Sequence, residues 1–208
     1  MNLDTLLQRR DIWRGGRLSA AAPSGLPTGF GPLDAALPGG GWPQGALTEI
    51  LTTQEGIGEL RLILPALARL SRGNRWIAWI APPRLPYAPA LAAAEIDLSR
   101  VLLVSPHADT DALWATEQAL RSGTCATVLA WPRQPNDRTL RRLQLAAETG
   151  KTCGFLFHCT QDAGTPSPVA LRLRLEPATH GLSVNVLKCR GGFVTGPIAL
   201  PFAPLPSS

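Results

Sequence analysis

ALTEILTTQEGIGELRL, residues 46–62, opens as a short apolar run, passes a pair of glycines and continues with apolar residues at helical spacing. A strand that enters a glycine loop and then a helix is the geometry that cradles phosphates, because backbone N–H groups and the positive helix end face the ligand. A working phosphate loop also needs a lysine for the β- and γ-phosphates and a Ser or Thr hydroxyl for magnesium. Here Gly56 and Gly58 remain, but Glu59 and Leu60 stand where the cation and the hydroxyl belong. Unit charges about 4 Å apart interact by roughly 4 kcal/mol at an effective dielectric of about 20. A carboxylate in that place therefore repels a triphosphate. Arg61 is turned about 100° around a helix from its neighbour and does not replace the lysine.

Two further requirements of nucleotide hydrolysis fail. The apolar run 126–131 is followed by Pro132 and ends without the carboxylate that holds hydrated magnesium. The run WIAWI, 76–80, leads into Ala81, Pro82 and Pro83, where an activating glutamate would be expected. The expectation is a non-enzymatic protein with a degenerate phosphate loop (Gly56, Gly58, Glu59, Leu60), no catalytic residue, no metal and no cofactor.

Outward from this stretch, short apolar runs alternate with helical patterns. Strands are predicted at 46–51, 75–81, 101–104, 125–131 and 152–158, and helices at 56–72, 88–95, 110–121 and 139–148. Such alternation marks parallel βαβ units covered on both faces. After Thr160 the runs 170–176 and 182–189 alternate apolar with polar residues, and the turn residues His180 and Gly181 predict a hairpin between them. Leu3, Leu6, Leu7 and Ile12 predict a short amphipathic helix before a Gly-, Ala- and Pro-rich linker. The expected organisation is an N-terminal helix and linker over 1–25, one domain over 26–203 and a tail over 204–208.

Of 208 residues, 45% are hydrophobic and 17% charged, which places the chain among globular proteins. The net charge of +5 rests on arginine, since Lys151 and Lys188 are the only lysines. An excess of this size is compatible with nucleic acid or an acidic partner surface, but it is modest. Cys125, Cys153, Cys159 and Cys189 form no CxxC and no zinc-like pair with histidine, so they are read as small hydrophobes in a reducing compartment. No apolar run reaches the roughly 20 residues of a membrane span, and the opening MNLDTLLQRRDIW lacks a signal-peptide core. A cytoplasmic protein is expected.

The segment 26–70, with its Pro27-Thr28-Gly29 turn, Leu33-Asp34, the Gly-rich corner 38–45 and Thr48-Glu49-Ile50, resembles the start of the RecA core, as does the closing run 184–193. The fold class this implies is α/β, a RecA-like P-loop-type core with a mostly parallel sheet, helices on both faces and a C-terminal antiparallel hairpin. More narrowly, 11–15 (DIWRG), 56–61 (GIGELR), 76–83 (WIAWIAPP) and 150–155 (GKTCGF) resemble the ImuA family of RecA-like proteins over about 6–202. That resemblance implies an accessory role in SOS-inducible translesion DNA synthesis, beside an ImuB-like inactive Y-family polymerase and an error-prone replicative-type polymerase, with RecA as a further partner and direct DNA contact open. Segments 74–82 and 117–131 also resemble the SOS cell-division inhibitor SulA, which binds the tubulin-like FtsZ. That inhibitor is shorter and lacks counterparts of 26–50 and 170–203, which favours the mutasome reading with the division inhibitor as its alternative.

Candidate partner or DNA contacts are Trp13 and Arg14, since Trp and Arg dominate interface hot spots, and Arg138, Arg141 and Arg142 in the Arg-rich helical stretch after the strand that ends at Trp131. Trp76 and Trp79, three apart on a strand, face opposite sides and are assigned to the core. His158, with no acidic or cysteine partner identifiable, is also read as a core residue.

Overall fold

Strands at the centre of a parallel sheet are covered on both faces, and the burial agrees: β1, Leu47–Thr52, and β4, Cys125–Ala130, are buried at every position. In the computed structural model, which describes residues 25–133, 135–160 and 166–202, these strands lie inside an eight-stranded sheet. The others are β2, Trp76–Ile80; β3, Val101–Val104; β5, Cys153–Cys159; β6, Leu171–Ala178; β7, Gly181–Cys189; and β8, Ile198–Pro201. Their spatial order is β3-β2-β4-β5-β1-β6-β7-β8. Neighbours from β3 to β6 run parallel, and β6, β7 and β8 pair antiparallel.

The described α-helices are α1, Gly31–Ala36; α2, Leu64–Ser71; α3, Ala88–Ala93; α4, Asp109–Arg121; and α5, Asp137–Gly150. One face of the sheet buries Leu62, Leu67, Ile77, Phe155 and Leu173. The other buries Leu47, Leu120, Leu140, Leu143 and Leu156 beneath α4 and α5. Trp131 bridges two strands on the first face, stacked on Trp79 at 5.7 Å and Phe157 at 5.0 Å. Asn136 caps α5 by accepting from the Thr139 N–H at 2.9 Å, which satisfies one of the donors a helix start leaves over.

The RecA-like P-loop-type core expected from 46–62 is corrected at the loop that would define it. Gly56 (φ 77°) and Gly58 (φ 95°) both take left-handed backbone, and they lead into a four-residue 3-10 turn, Glu59–Leu62, not the predicted α-helix. The first α-helix after the loop is α2, with Pro65 in its opening turn. A single 3-10 turn lacks the aligned peptide dipoles and orphan N–H groups that hold a phosphate. The ring of Phe202 moreover lies against Gly58, where an added Cβ would be 3.4 Å from it, and the Arg61 guanidinium sits 4.4 Å from its centroid. The fold is a mixed sheet with antiparallel C-terminal strands and, at α1 and α3, helices of only six residues. The predicted helix over 3–14 lies outside the described residues.

Candidate protein interface

β3 closes one side of the sheet and pairs with β2 alone, Ala78 opposite Leu102 and Trp79 opposite Leu103. Its sequence, VLLV, suits a strand covered on both faces, yet Leu102 is 45% and Leu103 39% exposed. Edge strands are usually blunted by charge, proline or a bulge; Val101–Val104 carries none of these. Leu102 shares the face of Ala78, toward the α4 side, and Leu103 shares that of Trp79. The Val104 carbonyl accepts from the Ala81 N–H at 2.9 Å, and Ala81 holds a left-handed φ of 50° there, a conformation that costs a residue with a Cβ about 1 kcal/mol or more.

The chain around β3 is just as exposed. Among the described residues, seven of the ten exposed large hydrophobics fall between 76 and 114: Trp76, Leu85, Tyr87, Leu98, Leu102, Leu103 and Trp114. Scattered apolar residues on a surface need no explanation, but their concentration in one stretch of chain beside a strand paired on one edge only makes this stretch a candidate protein contact. Tyr and Trp supply large contact area at low entropy cost, and Tyr87 and Trp114 are 72% and 63% exposed. Trp76 corrects the reading that both strand tryptophans are core: Trp79 is buried and Trp76 is not.

The arginines chosen from sequence have different surroundings. Glu117 of α4, almost buried, accepts from Arg121 at 2.7 Å and pairs with Arg142 of α5 at 2.8 Å. Arg142 thus clamps two helices. Arg138 and Arg141 are exposed on α5. Trp13 and Arg14 lie outside the described residues. Gly56, Gly58, Glu59 and Leu60 form the turn described above and bring no cation to a phosphate.

A buried ionic row was missed from sequence. On the face toward α5, His158 of β5, Glu49 of β1, Arg172 of β6 and Lys188 of β7 lie on four successive strands. Glu49, 1% exposed, stands 2.9 Å from His158 and 3.1 Å from Arg172. Burial pushes its carboxyl up, but the hydrogen bonds of His158 and Ser167 and the charges of Arg172 and His158 outweigh that and hold it below the usual range. Lys188 donates to the Ser167 carbonyl. Burial first, then the neighbouring Arg190, lowers its ammonium from the ordinary value, against the pull of Glu49. The reading of His158 as partnerless is corrected: its partner lies 109 residues away in sequence. Each charge in the row has an opposite or hydrogen-bonded neighbour, which makes it a structural element.

Among the described residues, no group of His, Cys, Asp and Glu is placed to hold a metal, and no helix is long and apolar enough to cross a membrane.

Comparison with known proteins gives a consistent answer. The family model described as "Cell division inhibitor SulA" matches residues 45–154. The cell division inhibitor SulA of Serratia marcescens is 25% identical over 118 residues, 57% of this chain and 70% of that protein. SulA of Yersinia pestis is 25% identical over 132 residues, 64% of this chain and 79% of that protein. The crystal structure of SulA from Pseudomonas aeruginosa is 28% identical, covers 54% of this chain and 98% of its own, and superposes with a TM-score of 0.46. The family model and the sequence relatives correct the ImuA assignment, and with it the translesion-synthesis role and the ImuB-like, polymerase and RecA partners. They also move the case against catalysis from missing phosphate-loop residues to kinship with a division inhibitor. Because the family match spans more than half of its length and includes the whole of β1 to β4, this chain belongs to the SulA family of cell division inhibitors.

Proposed function

We propose that this protein inhibits cell division by binding, without catalysis, and that its target is the tubulin-like FtsZ. The observation that carries the reading is the family match over residues 45–154. The exposed β3 edge and its surroundings, residues 76–114, lie wholly inside that span. An edge strand paired on one side only offers a row of backbone donors and acceptors to a partner, and flanking aromatic side chains supply apolar anchors. The modest positive charge serves encounter with an acidic surface, through rate more than affinity.

Overexpression tests the reading directly. Cells producing the chain are expected to grow as undivided filaments, and purified FtsZ to be retained on the immobilised protein. Leu103→Asp and Trp114→Ala are expected to restore normal division while the protein accumulates and melts as the parent does. Normal division in cells that accumulate the folded parent would overturn the proposal.

A further inference from the structure

The seam between α5 and the β6–β7 hairpin is matched in charge at one level and mismatched at the next. Arg141, Gln144 and Glu148 recur along α5 at the spacing of a single helix face. Glu148 pairs with Arg190, just beyond β7, at 2.9 Å. Gln144, a turn back, is buried, and its Oε1 accepts from the Leu47 N–H at 3.1 Å and the Ala170 N–H at 3.2 Å. As the crossover helix between the parallel strands β4 and β5, α5 runs against the strand direction. Arg141 therefore stands about 4.5 Å further along the seam. That is the level of Arg172, two residues beyond Ala170, and of Lys188 opposite it on β7. Burial first, and then the positive charges of Arg190, Arg172 and Arg141, push the Lys188 ammonium below its ordinary value, with Glu49 pulling the other way.

Cations gathered without an anion repel one another. Arg172 and Lys188 face each other directly across an antiparallel ladder, a placement that destabilises when the charges are alike. Glu49 answers Arg172 and also meets His158, and Glu148 answers Arg190. Among the described residues, no carboxylate forms an ion pair with Arg141 or Lys188. Arg141 is exposed and offers its guanidinium donors to solvent. Lys188, half-buried, spends one ammonium hydrogen on the Ser167 carbonyl and keeps two. A planar fork beside a point charge, each without a counter-charge, fits a tetrahedral dianion. We propose that the corner between Arg141 of α5 and Lys188 of β7 binds a phosphate dianion, free or as a small phosphate monoester. Arg138, exposed one turn before Arg141, adds positive potential on the approach. This inference is independent of FtsZ binding.

Calorimetric titration of the full chain tests the site, with inorganic phosphate in one arm and glycerol phosphate in the other. The buffer is phosphate-free and held at about pH 7.5, where phosphate is mostly the dianion. Saturable binding is expected in at least one arm, and the tighter arm identifies the source of the phosphate. Chloride raised to the same ionic strength is expected to give none. Arg141→Ala, a change at an exposed position that leaves the core intact, should weaken the dissociation constant about tenfold or more, as the loss of one charge-assisted contact does. Lys188→Gln should weaken it likewise. Arg133→Ala removes an exposed arginine that stands 3.9 Å from Asp109 of α4, and should leave the constant unchanged. Absence of saturable binding in both arms overturns the proposal. So does undiminished binding by Arg141→Ala, or an equal loss in Arg133→Ala.

Discussion

The Glu49 carboxylate and the His158 imidazole meet at 2.9 Å on adjacent parallel strands, with Arg172 closing on the other carboxylate oxygen at 3.1 Å. Removing one member of such a buried set leaves the others without a counter-charge, which costs about 3–5 kcal/mol. Glu49→Gln is therefore expected to lower the urea midpoint strongly at neutral pH. The pH dependence comes from the direction of the carboxyl shift. Its folded value lies below the ordinary 4.5, so the folded state holds fewer protons there than the unfolded chain. The stabilisation is complete above the ordinary value and is lost as pH falls through the folded one. Urea titrations from pH 7 downward should show stability declining below about pH 4.5, with that component absent in Glu49→Gln.

The clamp on Glu117 separates Arg142 from its helix neighbours. Half-exposed ion pairs contribute about 1 kcal/mol or less, and Arg142→Ala should lower the melting temperature by a few degrees through loss of its contact with Glu117. Arg138→Ala and Arg141→Ala should change stability by no more than about 0.5 kcal/mol. A thermal melt of the three variants decides whether Arg142 is structural. An effect of Arg138 or Arg141 as large as that of Arg142 would contradict the assignment.

Two glycines should respond in opposite directions to alanine. A Cβ on Gly150 would lie 2.0 Å from the Leu120 carbonyl oxygen, and Arg121 backbone closes in at 3.0 Å. Since the obstruction is main chain, α4 and α5 would have to part, and Gly150→Ala is expected to cost about 1–3 kcal/mol. A Cβ on Gly31, in α1, meets nothing within 4 Å. Gly31→Ala should therefore stabilise by about 0.4–1 kcal/mol through the unfolded chain. Chemical unfolding of the two variants side by side checks the sign of each.

Local pattern carried the strands well and the site poorly. β3 was legible to the residue, and β2 and β4 to within a residue or so, because continuous apolar runs bounded by Pro, Gly or Ser leave little choice. The turn at Gly56–Gly58 was misread because a glycine pair after a strand looks the same whether an α-helix or a 3-10 turn comes next; the tertiary contact with Phe202 lies some 140 residues downstream. β8 was not read from sequence because Pro197 and Pro201 bracket so short a run, yet Pro201 fits the outer strand of the sheet, as prolines can at edges. Trp76 and Trp79 were correctly set on opposite faces by period-two reasoning, but sequence could not show that β2 begins beyond the cover of the core. Glu49 and His158 come together only through sheet order, which no short window contains.

That order also sets a schedule for folding. β1 takes its place between β5 and β6, with Leu47 opposite Gly154 and Thr48 opposite Leu171. A ribosome adding about ten residues per second needs on the order of ten seconds to pass from the first of these strands to its later neighbours. Through that interval LTEILT, a segment buried at every position in the folded chain, has neither of its final companions. Non-local pairing of this kind slows folding and leaves the nascent chain open to chaperones, proteases and its own siblings. Folding of this chain is thus paced by strand insertion as well as by synthesis.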